Sequence, residues 1–130
     1  MSDTLFGVTL PARRGFSVPI QVIEQAGITA WLVEDHSVPV VSLAWAWPGG
    51  SANDPVGREG LASLAGALLS EGAGDLDNVA FADAARDAGI GLSFAAGRDS
   101  FEASFRALTD ALPEAVRLAK LAMKIGRAHV

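Results

Sequence analysis

The side chains able to do chemistry are few in this sequence, and they are scattered. It has no cysteine and two histidines, His36 and His129, which rules out disulfides, thiolate metal sites and cysteine nucleophiles together. His36 lies in the turn-like segment EDHSVP, where a solvated histidine is the commoner case. Ser63 could be proposed as a nucleophile. It falls inside an apolar helical run, not on a strand-to-helix elbow, and no histidine stands near it in sequence to activate it. The segment DLDN, Asp75 to Asn78, opens like a calcium loop but lacks the glycine and closing glutamate such a loop needs, so helix capping explains it better. Trp45 and Trp47 could make an aromatic platform, yet one ring in a core and one at a strand edge account for both. Glu59 and Glu71 flank a helix without a partner set, and Arg98 and Asp99 fall at a hairpin tip. None of these makes a site.

The elements that must carry these residues form a regular series. VPIQVIEQ (Val18 to Gln25) and TAWLVED (Thr29 to Asp35), separated by Ala26-Gly27-Ile28, predict a β-hairpin. VVSLAWAW (Val40 to Trp47) is apolar and aromatic enough for a strand buried on both faces, and PGGSANDPVG after it is a loop. In GREGLASLAGALLSEG, Gly57 to Gly72, the residues Leu61, Leu64 and Leu68 recur at helical spacing with Leu69 beside them. They predict a helix packed on a sheet, with Gly72 where a C-terminal cap belongs. A second helix is predicted from Val79 to Ala88, capped by Asp77 or Asn78, with Gly89 just beyond it. Ile90, Leu92, Phe94 and Ala96 then share one strand face, and Phe101, Ala103, Phe105 and Ala107 share another, with Gly97-Arg98-Asp99 as the turn. DALPEAVRLAKLAM predicts a third helix, with Pro113 in its first turn and a buried stripe of Leu112, Val116, Ala119 and Met123. The expected fold class is α+β, a largely antiparallel sheet with helices packed on one face.

Composition sets the outer bounds. A chain of 130 residues, 50% hydrophobic and carrying a net charge of −5, suits one soluble domain or a piece of one with a core of its own. The acidic balance, without a basic cluster, argues against nucleic acid and anionic membranes as partners. The opening MSDTLFGVTLPARRG shows neither a signal peptide nor a membrane span, so as written the chain stays in the cytoplasm. A start codon placed wrongly would reopen a periplasmic location. The tail KIGRAHV breaks the pattern of the third helix and looks like the translation of a common sequencing adapter, the alternative being a natural frayed helix end. The expected organisation is an N-terminal lead over 1–17, a partial domain over 18–123 and an artefactual tail over 124–130, which removes His129 as a ligand.

GGSANDPVGREGLASLAGALLSEGAG, preceded by a strand and a hairpin, resembles the N-terminal region of the pitrilysin or insulinase family of zinc metallopeptidases. Asp54, Gly57, Arg58 and Gly60-Leu61-Ala62 match the family's frame, whose helix carries the inverted zinc motif His-x-x-Glu-His. The resemblance places the two histidines at Ser63 and Ala67 and the glutamate at Gly66, and all three are replaced. Two histidines at i and i+4 can share a zinc ion on one helix face while a glutamate between them takes a proton from zinc-bound water. Serine, alanine and glycine supply neither ligand nor base. The family's remaining ligand, a downstream glutamate, would fall past Met123.

Two readings follow from the resemblance. The first is a non-catalytic subunit, inactive alone and without a cofactor of its own, that forms a heteromer with a catalytic pitrilysin-type chain. The zinc then sits in that partner, and peptides are the substrates. LLSEGAGDLDN also looks like what bacterial companion chains carry after the altered helix. The alternative is a truncated piece of an active zinc metallopeptidase whose catalytic motif lies elsewhere in the full protein. A third possibility is an unrelated α+β domain. On purely structural grounds, Ser63, Gly66 and Ala67 with Ala62 and Ala65 are small because another element lies close against them.

Overall fold

A computed structural model describes residues 4–5, 8–9, 15 and 17–124, and the chain divides into two units, Met1–Val38 and Pro39–Val130. The division falls inside the expected 18–123 domain. His129, the tail beyond Lys124 and most of the 1–17 lead lie outside the described residues.

In the first unit, β1 (Thr4–Leu5) pairs antiparallel with β2 (Val8–Thr9), and β3 (Gln21–Gln25) pairs antiparallel with β4 (Ile28–Leu32). Gln25 faces Ile28, so the turn is the two residues Ala26 and Gly27 and not the three expected. Both adopt positive φ, the geometry that matches the natural twist of a two-residue hairpin. Strand β4 stops at Leu32, short of the expected Asp35. Every residue of both strands is exposed, Trp31 to 79%.

The second unit holds the core. Strands β5 (Val40–Pro48), β6 (Gly91–Ala96) and β7 (Ser100–Leu108) form an antiparallel sheet in the order β5-β7-β6. Helices α1 (Leu61–Leu68), α2 (Asn78–Asp87) and α3 (Leu112–Met123) pack on one face of it, so the fold is α+β as the element order implied. Strand β7 explains why only one face is covered. Phe101, Ala103, Phe105 and Ala107 are buried, while Glu102, Ser104 and Arg106 between them point to the open side. Phe81 of α2 and Leu118 of α3 close over Phe105, and Trp45 meets Phe105 edge-on with ring centroids 6.2 Å apart. Helix α2 is capped by Asp77, whose carboxylate accepts the Ala80 amide at 2.8 Å. It ends with Gly89 N–H on the Arg86 carbonyl and Ile90 N–H on the Ala85 carbonyl.

Three expectations are corrected. Strand β5 is not buried on both faces. It lies at a sheet edge among the described residues, only Val41 and Trp45 are half-buried, and Ser42, Ala44 and Ala46 lie on the open side. In α3 the buried residues are Ala115, Leu118, Ala119 and Ala122, whereas Leu112 and Val116 sit at the margin and Met123 is exposed. Ala115, Leu118, Ala119 and Ala122 form a complete i, i+3, i+4, i+7 row, three alanines around one fully buried leucine, with Leu112 and Val116 at its margin. Gly72 is not the cap of α1, because the helix ends at Leu68 with Leu69 as its cap.

Candidate functional site: the N-terminal face of helix α1

The loop before α1 is a device for starting a helix. It leaves β5 by crossing the β6–β7 turn: Gly49, Ser51 and Ala52 donate their amides to the carbonyls of Asp99, Gly97 and Arg98. At Gly50 a Cβ would stand 2.6 Å from the Gly97 carbonyl oxygen, so only glycine fits that crossing. Arg98 and Asp99 therefore serve through their backbone. Farther on, Asp54 turns back onto the helix, its Oδ2 accepting the Gly60 amide at 2.7 Å and its Oδ1 the Ala62 amide at 2.9 Å. Two of the orphan donors of the first turn are satisfied in this way, an arrangement worth about 1 kcal/mol. Gly60, at φ 94, is the left-handed residue that turns the chain into the helix. The Glu59 carboxylate accepts the Gly57 amide at 3.0 Å. Backbone N–H groups of Glu59 itself and of Gly57 hold that carboxyl below its ordinary range. The residues that match the metallopeptidase frame thus have a structural account: Asp54, Gly57 and Gly60 build the turn and cap the helix.

The helix they start is rotated from its expected phase. Gly66 is buried and Ala62 and Ala65 are half-buried, so this small-residue row faces the sheet, with the capping Leu69 buried just beyond it. Leu61, Leu64 and Leu68, expected to face inward, point out. Ser63 and Ala67 are exposed on that same outer side. Gly66 behaves differently. A Cβ there would lie 3.4 Å from the Phe101 ring and 3.6 Å from the Ala96 amide nitrogen. A Cβ at those distances would rest in ordinary contact, so packing keeps position 66 small without requiring glycine, and it does not constrain Ser63 or Ala67.

The donor set does not fit zinc. One exposed hydroxyl, one methyl and one residue without a side chain offer no imidazole and no carboxylate, so this helix face cannot support a metal-assisted step. The outer face carries no general base either, since Glu59 is drawn back to the Gly57 amide and Glu71 lies beyond the helix end.

The other candidates remain apart. His36 is exposed in the first unit, its Nε2 3.6 Å from a Glu34 carboxylate oxygen. Asp77 is the cap of α2, which settles DLDN as a helix start. Trp45 and Trp47 share the helix-facing side of β5 and, with Ala65, Leu69, Phe101 and Met123, line an apolar pocket. Trp47 stacks on Phe101 at 5.0 Å. Sequence reading prefers one core ring and one edge ring to an aromatic platform here, whereas the two-residue spacing puts both tryptophans on one face.

No protein-family model matches the chain, and no curated protein sequence does. A solved structure does: the crystal structure of a peptidase M16 inactive domain from Pseudomonas fluorescens, 28% identical to this chain, with a TM-score of 0.71. The match covers 81% of this chain and 26% of that one, so the chain spans about a quarter of the length of its structural neighbour. The likeness supports an M16, pitrilysin-like relationship at the level of the fold and is consistent with a non-catalytic M16-like domain.

Proposed function

We propose that this chain is part of a non-catalytic, pitrilysin-like subunit that works in a heteromer with a separate zinc-bearing chain in peptide hydrolysis. The observation that carries this reading is the outer face of α1. Ser63 and Ala67 occupy the two positions a zinc pair would need, and Gly66, in the place of the base, is buried against Phe101 and has no side chain. The structural neighbour, whose own description names it inactive, supports it. On this reading the chain supplies wall and peptide-binding surface, and the zinc belongs to the partner chain. Two measurements test it together. The purified chain, incubated with zinc and freed of excess metal, is expected to retain no stoichiometric zinc and to cleave no peptide. Mixed with a zinc-bearing His-x-x-Glu-His chain encoded beside it, it is expected to raise cleavage above what that chain achieves alone. Stoichiometric zinc, or cleavage by this chain by itself, overturns the reading.

A further inference from the structure

We draw no further inference here: the strongest candidate, the apolar pocket that Trp45, Trp47, Ala65, Leu69, Phe101 and Met123 line beside β5, has nothing in the structure to say what covers it.

Discussion

Positions 63, 66 and 67 of α1 differ in the one property that decides what they could become: room. Ser63 and Ala67 open to solvent, whereas Gly66 is buried with the Phe101 ring 3.4 Å from where a Cβ would be. Ligands could therefore be returned to this helix, but a base could not. The double variant Ser63→His/Ala67→His is expected to fold like the parent and to gain a zinc-dependent rise in Tm, because a ligand bound only by the folded state stabilises it by about 2.7 kcal/mol at a hundred times its Kd. Gly66→Glu should instead lose about 3 kcal/mol, read from the urea midpoint, since it forces an unpaired carboxylate against an aromatic ring. A double-histidine variant whose Tm ignores zinc would contradict the exposed placement of the pair. Near-parental stability of Gly66→Glu would contradict the packing of Gly66. The residue types announced the missing chemistry directly in the sequence. The unequal room did not, because it depends on Phe101, thirty-five residues farther along the chain.

Periodicity in the sequence identified the three α-helices and three strands described in the second unit, but it misjudged the phase of two helices. In α1 and α3 the spacing of apolar residues pointed to Leu61, Leu64 and Leu68 and to Leu112, Val116, Ala119 and Met123 as the inner stripes, of which only Ala119 is buried. The structure turns α1 so that Ala62, Ala65 and Gly66 face the sheet, and α3 so that Ala115, Leu118, Ala119 and Ala122 do. Close approach of a helix to a sheet selects small contact residues, and size in the sequence is a poor guide to depth there. The cap of α2 was legible to within one residue, Asp77 or Asn78, because Asp77 acts only three residues away, on Ala80. The capping role of Asp54 was not, because it reaches six and eight residues ahead, to Gly60 and Ala62. Strand β7 was read correctly because its alternation is complete, while the small residues of β5 blurred an exposed face into an apolar run. The phase yields a comparison of two variants. Ala115→Leu, at a position with no exposure, should destabilise by about 1–3 kcal/mol through overpacking. Leu64→Ala, on the outer face, should change stability by less than about 0.5 kcal/mol. Chemical denaturation of both decides it: a reversed order would restore the leucine-inward phase.

At the scale of the whole chain, stability is concentrated in the second unit. There β7 is hydrogen-bonded on both sides, and its inner face is buried under α2 and α3. Among the described residues the first unit offers only short hairpins, and in the longer one every side chain from Gln21 to Leu32 is exposed. A two-stranded hairpin in that condition is marginal in water, since its cross-strand hydrogen bonds barely offset the cost of ordering the chain. Two β-branched runs around Ala26-Gly27-Ile28 predicted a hairpin at this place, but strand propensity says nothing about whether a face finds cover. The difference should be measurable as local opening. Native-state hydrogen exchange of the full chain is expected to leave the amides of β3 and β4 close to unprotected-peptide rates. The amides of β7 should exchange more slowly by about a hundredfold or more, in the limit only through global unfolding. Equal protection in β4 and β7 would mean that the hairpin opens with the sheet as one cooperative unit, and Val38 would then mark no energetic boundary. Protection confined to β7 and the helices would make the second unit the part whose core alone sustains the fold.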